Sequence, residues 1–330
     1  MKTLNSCELS IVVSVYNEQD NISVIANKLT EVLTEIKTSY EIIFVNDGSK
    51  DCSYNKLLDI SSTSSNIKVI DFSRNFGHEA AMIAGIDKSC GENIICMDCD
   101  LQHPPDMIPQ MLDLSKQGYD IITMIRTKRT DRSCCYNFFS RLFYKVINSL
   151  SRVKIVENAS DFFLISKKVA NVLKNDYRER TRFLRGIIQI VGFKTTSLEY
   201  QAADRYSGSS KYSYPKLISL SLSAILSFSK KPLRLGIVSG AIFLIISVVL
   251  LIISIIMWLT SRPISNTMLI IMVISIFAGL QLLVSGIIGQ YIGLIFDEIK
   301  RRPIYTIENM INFEENSTNK LHQLQSPCSK

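Results

Sequence analysis

Between residues 235 and 296 the chain carries one charged side chain, Arg262. A helix crosses a bilayer with ~20 apolar residues, so this run accommodates two crossings. A transmembrane hairpin is expected over 235–259 and 268–295, turning at Arg262-Pro263. A very apolar pair of buried helices is the other reading of the same run. Lys230, Lys231 and Arg234 precede it and Lys300, Arg301 and Arg302 follow it, while the turn has Arg262 alone. The positive-inside rule then puts both ends of the hairpin, and the large N-terminal part with them, in the cytosol.

The rest of the chain reads as soluble protein with charges throughout, and its net charge of +7 suits an anionic leaflet or a phosphorylated substrate. No nucleic-acid partner is expected. Residues 1–10 are polar, so no signal peptide is expected before the first strand. Eight cysteines are scattered, and the adjacent Cys134 and Cys135 cannot easily pair with each other, which fits a reducing compartment. Cys96 and Cys99 have C-x-x-C spacing, yet no second pair or histidine cluster completes a tetrahedral zinc site. Asn158-Ala-Ser and Asn316-Ser-Thr match the glycosylation pattern and read as accidental in a cytosolic segment.

Short β-branched runs alternate with helical patterns in the first half. Strands are expected over 9–15, 41–45, 67–71, 94–97, 119–123 and 162–165, with helices over 22–36, 54–60, 79–89 and 138–150. That alternation predicts an α/β fold, a parallel sheet with helices on both faces. Ligands of such sheets bind beyond the carboxyl ends of the strands, where Tyr16-Asn17-Glu18, Asp47 and Arg74-Asn75 fall. Residues 214–228 alternate serine and lysine with leucine and isoleucine, as an interface helix or a plain core helix would. The tail from about residue 312 is polar and expected to be disordered.

The stretch CMDCDLQHPP (96–105) carries the chemistry. Asp98 and Asp100 leave a buried strand one residue apart, and Pro104-Pro105 enforces an extended exit. Oxygen ligands at such a turn suit Mg2+ or Mn2+, which complete their shell with substrate phosphates. Dinucleotide and P-loop glycine patterns are missing.

The segments IVVSVYNE, VNDGSKD, SRNFGHEAAMIAG, MDCDLQHPP, ERTRFLRG and RYSGSSKY, in this order, resemble the family 2 glycosyltransferases that load a sugar onto a polyprenyl phosphate, such as dolichyl-phosphate mannose synthase and bacterial undecaprenyl-phosphate glucosyltransferases. The resemblance covers about residues 8 to 300. It implies a GT-A (Rossmann-like) catalytic domain, a nucleotide-sugar donor, a divalent metal, Mg2+ or Mn2+, and inversion at the anomeric carbon. By the same resemblance Tyr16, Glu18 and Asp47 hold the nucleoside, and Asp98 lies against the nucleotide and metal. Asp100 and Gln102 are metal ligands, and Arg205 and Lys211 contact the diphosphate from a loop. Arg126, Ser140 and Arg141 receive the lipid phosphate, and Asp161 stands near the reacting centre as base or orienting group. Three positions depart from the pattern: Ser14 where relatives usually have proline, Cys99 where they have alanine, and Phe163 where many have arginine.

The expected organisation is a cytosolic GT-A domain over 1–212, an interface region over 213–234, two transmembrane helices over 235–296 and a cytosolic tail over 297–330. The expected protein is a multi-pass enzyme of the inner membrane that makes a lipid-linked sugar for cell-envelope glycosylation from a uridine-linked donor such as UDP-glucose. A GDP-mannose-dependent enzyme and a non-catalytic membrane adaptor are the alternatives. A processive polysaccharide synthase would carry Q-x-x-R-W, and the sole tryptophan, Trp258, lies in the first expected span. Arg180, Arg182 and Arg185 could line the site or a solvated face, and His103 could be a base or a packed structural residue. Gly279, Ser285, Gly286, Gly289 and Gly293 on the second span would allow close helix packing in a homo-oligomer.

Overall fold

The computed structural model describes residues 7–127, 159–179, 184–201 and 266–313, and singly residues 242, 245, 246, 249, 252 and 256. The described strands are β1 (Leu9–Val15), β2 (Tyr40–Asn46), β3 (Ile67–Phe72), β4 (Asn93–Asp98), β5 (Ile121–Arg126), β6 (Ala159–Ser166), β7 (Thr195–Tyr200) and β8 (Ile307–Ile311). They form one sheet in the order β7-β5-β6-β4-β1-β2-β3-β8. β1 is buried along its whole length, which is why it reads LSIVVSV rather than alternating polar and apolar. The helices are α1 (Ile22–Ile36), α2 (Ser53–Thr63), α3 (His78–Lys88), α4 (Ile108–Lys116), α5 (Lys167–Asn175), α6 (Leu184–Ile190) and α7 (Asn266–Ile299).

Helices cover both faces of the sheet. Ile22, Ile25, Ala26, Leu29 and Leu33 recur at helical spacing along α1 and are all buried, joining Leu57 of α2 and Ile108, Met111 and Leu112 of α4 in one core. α3, α5 and α6 build the second core on the other face. α3 lies hard against β1, since a Cβ on Gly85 would come within 2.1 Å of a Val12 methyl carbon. That close approach sets the height at which the first residue of α3, His78, meets the end of β1.

The parallel expectation holds for β3, β2, β1 and β4 and fails at β6. β6 runs antiparallel to both β4 and β5, so the chain leaves β5 and re-enters β6 at the same edge of the sheet. The right-handed crossover that makes neighbours parallel applies only where a helix carries the chain back to the opposite edge.

A second correction concerns the segment after residue 296, expected as a tail. It returns to the sheet, where β8 pairs antiparallel with β3, Val69 opposite Ile311 and Phe72 opposite Ile307. Tyr305 stacks on Phe72 at 5.3 Å and donates to Asp87 Oδ2 at 2.7 Å. The same carboxylate pairs with Arg178 at 2.9 Å. Asn312 donates to the Ser61 and Ile67 carbonyls, each at 2.8 Å. The sheet domain is therefore completed from beyond the apolar run, not closed at residue 212.

The second expected span lies within α7, a helix of 34 residues. Its segment Phe277–Ile299 is the one stretch among the described residues long and apolar enough to cross a membrane. Ile274 and Leu282 are 61% and 74% exposed, so nothing in the described protein covers that surface. Of the first expected span, residues 242, 245, 246, 249, 252 and 256 are helical and exposed. The turn at Arg262-Pro263, the interface region 213–234 and the helix expected over 138–150 lie outside the described residues.

Candidate active site

In the sheet order, the chain runs from β1 towards β2 and β3 on one side, and β4 lies on the other. Open α/β sheets form their ligand crevice at such a switch point, beyond the carboxyl ends of the strands. Ser14 of β1 sits directly opposite Asp98 of β4 there. On the other flank of β4, Cys96 pairs with Phe163 of β6, and continuing that antiparallel register brings Asp161 against Asp98. β5 and β7 end at the same edge, with Arg126 paired to Tyr200.

After Asp98 the chain turns sharply through Leu101 at φ 63°. The Gln102 N–H donates to Asp100 Oδ1 at 3.1 Å, and His103 folds back beneath the strand end. His103 is fully buried, stacked on Phe162 at 5.2 Å, and its Nδ1 accepts the Asp98 N–H at 3.0 Å. Burial lowers its pKa, so the ring is neutral, and with Nδ1 accepting, its proton is assigned to Nε2. His103 is thus the packed structural residue of the two readings. Arg126 lies over it, donating to Tyr200 Oη at 2.8 Å and to Gln102 Oε1 at 3.3 Å. Arg126 Nη2 also comes within 3.1 Å of His103 Nε2.

A second group of charges faces Asp98 from α3 and β6. His78 Nδ1 lies 2.9 Å from Ser14 Oγ. Its Nε2 lies 3.4 Å from Asp98 Oδ1 and 3.6 Å from Asp161 Oδ2. Asp161 Oδ1 is 2.8 Å from Arg185 Nε, and Arg185 Nη1 donates to the Ala159 carbonyl at 3.0 Å. Burial alone would lower the His78 pKa, but Asp98, Asp161 and Glu79 raise it to about 9. Burial would raise Asp161, yet Arg185 and His78 hold it well below the usual carboxylate range. Glu79 goes the other way, pushed up to about 7 by burial and by Asp161, against the pull of Arg185 and His78.

Arg185 therefore belongs to the site; Arg180 and Arg182 lie outside the described residues. His78 and Glu79 were not singled out in the sequence. Their signal was position, since the pair opens a helix directly after a strand end. Ser14, a departure from the family pattern, supplies the hydroxyl that meets His78.

At the end of β2, Asp47 is buried and its carboxylate serves the loop after β3. It accepts from Asn75 Nδ2 at 2.9 Å, Phe76 N at 2.6 Å and Gly77 N at 3.0 Å. Gly48 makes that contact possible, because it has φ +62° and a Cβ there would lie 2.4 Å from the Arg74 carbonyl carbon. Glu18 accepts from Asn21 Nδ2 at 2.6 Å, and its N–H donates to Ser53 Oγ at 3.0 Å. Tyr16, one residue beyond β1, is half-buried beside it.

Asp98, Asp100 and Gln102 are all half-buried and offer two carboxylates and an amide oxygen. This hard, all-oxygen donor set fits Mg2+ or Mn2+. Cys96 and Cys99 pack into different cores on opposite faces of the sheet, so the C-x-x-C spacing builds no shared site. Ser140, Arg141, Arg205 and Lys211 lie outside the described residues.

Residues 10–173 match the model of glycosyl transferase family 2. An uncharacterized glycosyltransferase of Synechocystis sp. is 38% identical over 308 residues, covering 93% of this chain and 96% of its own length. A bactoprenol glucosyl transferase of Shigella phage SfV is 34% identical over 306 residues, covering 92% and 98%. Among solved structures, glucosyl-3-phosphoglycerate synthase from Mycobacterium tuberculosis, in complex with Mn2+, uridine-diphosphate-glucose and phosphoglyceric acid, superposes with a TM-score of 0.45 at 14% identity, covering 66% of this chain and 77% of that one.

Proposed function

The chain belongs to glycosyl transferase family 2, and from that premise we propose that it transfers a single sugar, with inversion, from UDP-glucose to a polyprenyl phosphate at the cytosolic face of the inner membrane. The observation that carries the reading is the hydrogen bond between Arg126 and Gln102. The arginine expected at the acceptor phosphate touches the amide expected at the donor's metal, so the two substrates meet at one point. The relatives named bactoprenol glucosyl transferases support the lipid acceptor and the glucose.

A phosphate monoester has its second pKa near ~6, so the acceptor oxygen is already an anionic nucleophile at neutral pH. No strong base is required. Asp161, held ionised by Arg185 and His78, is too weak a base for that task and instead orients the cations and hydroxyls around the reacting carbon. Asp98, Asp100 and Gln102 would hold a divalent metal, which when bound would neutralise the charge of the departing diphosphate. Arg126, with Ser140 and Arg141, holds the acceptor phosphate against its repulsion from the donor. Tyr16 and Glu18 bound the nucleoside crevice, and Asp47 acts there by holding the 75–77 loop in place. Arg205 and Lys211 are proposed to contact the diphosphate.

The exposed apolar face of α7 and the helical residues 242, 245, 246, 249, 252 and 256 support a two-span anchor, both of whose ends would lie on the cytosolic side. β8 follows α7 by a few residues and pairs within the sheet, which supports a carboxyl end of α7 on the side of the catalytic domain. Packing of copies through the small residues of α7 is the proposed route to an oligomer.

The test is incubation of the purified full chain with undecaprenyl phosphate, Mn2+ and a panel of nucleotide sugars, with mass spectrometry of the lipid. A hexosyl lipid from UDP-glucose is the expected product. Product from GDP-mannose alone reassigns the donor, and absence of product with every donor leaves the adaptor reading.

A further inference from the structure

At the edge of the sheet opposite the active site, three segments bring ligand atoms together. Cys7 precedes β1, Glu41 lies in β2 and Cys90 lies between α3 and β4. The two sulfurs and a Glu41 carboxylate oxygen are all within 4.8 Å of one another. The register explains the meeting, since Leu9 pairs with both Tyr40 and Asn93. Glu41 is 3% exposed, whereas Cys7 is half-buried and Cys90 exposed. The carboxylate is dry while the thiols remain open to solvent.

We propose that Cys7, Glu41 and Cys90 bind a soft divalent cation of the zinc class, through two thiolates and one carboxylate with solvent in the fourth position. Zinc–sulfur bonds are ~2.3 Å, which puts two sulfurs on one tetrahedral ion about 3.8 Å apart, so the site needs an inward closure of at most about 1 Å. The charges balance. Two thiolates and a carboxylate carry three negative charges, the ion two positive, and Lys68, 2.7 Å from Glu41 Oε2, supplies the third.

The carboxylate is oriented before any ion arrives. Its Oε1 accepts from Ser10 Oγ and from the Cys90 N–H at 2.8 Å. Ser10 Oγ in turn accepts the Gly91 N–H at 2.9 Å, which ties down the loop that carries Cys90. Without an ion, burial and Glu41 push both thiols up, Cys90 to about 12, and Lys167 and Lys174 of α5 also act on the cluster. Binding therefore releases two thiol protons to solvent.

Softness separates this site from the active site. Thiolates select zinc, whereas the oxygen set of Asp98, Asp100 and Gln102 takes Mg2+ or Mn2+. The ion joins the segment before β1 to the loop before β4, a staple independent of the glycosyl-transfer reading.

The full chain, reduced and metal-free, is titrated with Co2+ or Cd2+ while thiolate-to-metal charge-transfer absorption is followed. One equivalent is expected to bind, to be displaced by Zn2+ and to be unaffected by excess Mn2+. Cys7→Ser and Cys90→Ser should each weaken it about 100-fold or more. Comparison with these variants isolates the site from the other cysteines. As a second measurement, Zn2+ should raise the unfolding temperature of the wild-type chain but not that of Cys90→Ser. An absorption band unchanged in either serine variant, no band in the wild type, or an equal thermal shift in both chains overturns the proposal.

Discussion

Arg126 and Gln102 are joined by a hydrogen bond of 3.3 Å, although they lie on different strands' exits and were assigned to opposite substrates. The contact makes Arg126 part of the 98–103 turn as well as of the proposed acceptor side. Replacing it with lysine keeps the charge but loses the fork that spans Gln102 and Tyr200. Arg126→Lys should lower kcat/KM by about 10²-fold and Arg126→Ala by about 10³-fold, the scale of losing a positioned donor at developing charge. Quantifying lipid product against acceptor concentration checks this; unchanged kinetics in the alanine variant would remove Arg126 from the acceptor site.

Asp100→Ala should reduce transfer to background with either Mn2+ or Mg2+ and should weaken Mn2+ binding followed by electron paramagnetic resonance. The variant should keep its thermal stability, because the Asp100 side chain is half-exposed and the bond that it accepts from Gln102 N is local. Full activity in this variant is the outcome that the metal assignment could not survive.

Asp47→Ala removes a buried acceptor from Asn75, Phe76 and Gly77 together. The loss of those bonds should cost about 2–3 kcal/mol, measured by denaturant unfolding. The donor KM should rise more than the acceptor KM, because the freed loop carries the bonds to Asp47 on the side proposed for the nucleoside. An equal rise in both would place the loop elsewhere in the mechanism.

Tyr305 ties the segment after α7 to Asp87 at the end of α3. Tyr305→Phe keeps the stack on Phe72 and loses the hydroxyl bond, at a cost of about 1 kcal/mol. Hydrogen exchange of amides 307–311 should accelerate, with the strands at the other end of the sheet unchanged. Uniform exchange across the sheet would mean that β8 is no separate clamp.

Glu41 is subject to burial, which raises its pKa, but Lys68, Ser10 and the Cys90 N–H together hold it below its ordinary range. Its folded pKa being depressed, the charged carboxylate contributes stability at neutral pH, and that contribution is lost as pH falls through the lowered value. Glu41→Gln in metal-free buffer should therefore be less stable by about 1–3 kcal/mol at neutral pH. The difference should shrink as pH falls through that depressed value. A constant gap across the range would assign the loss to packing rather than charge.

Much of this protein was written in its local patterns. The β-branched runs at 9–15 and 67–71, the helical spacing of Ile22 to Leu33, and two aspartates leaving a buried strand each depend on neighbours a few residues away, which a linear reading registers. The apolar run containing α7 was legible for the same reason, since a bilayer span is a property of consecutive residues. The polar turn 98–103 was legible as a candidate ligand site because its two carboxylates leave a strand end of an α/β sheet, with Asp47 at the end of another strand.

What the linear reading could not reach depends on pairing across long separations. IENMI becomes β8 only because the edge of β3 is open to it, and β6 runs antiparallel only because the chain re-enters the sheet where it left. His78 becomes a site residue through the register that sets Ser14, Asp98 and Asp161 side by side, and Cys7 meets Cys90 only because β1 and β4 start together. Composition and periodicity specified the elements and the apolar run. The sheet order decided which charges face one another, because electrostatic interactions act over a few ångströms of space and are indifferent to distance along the chain.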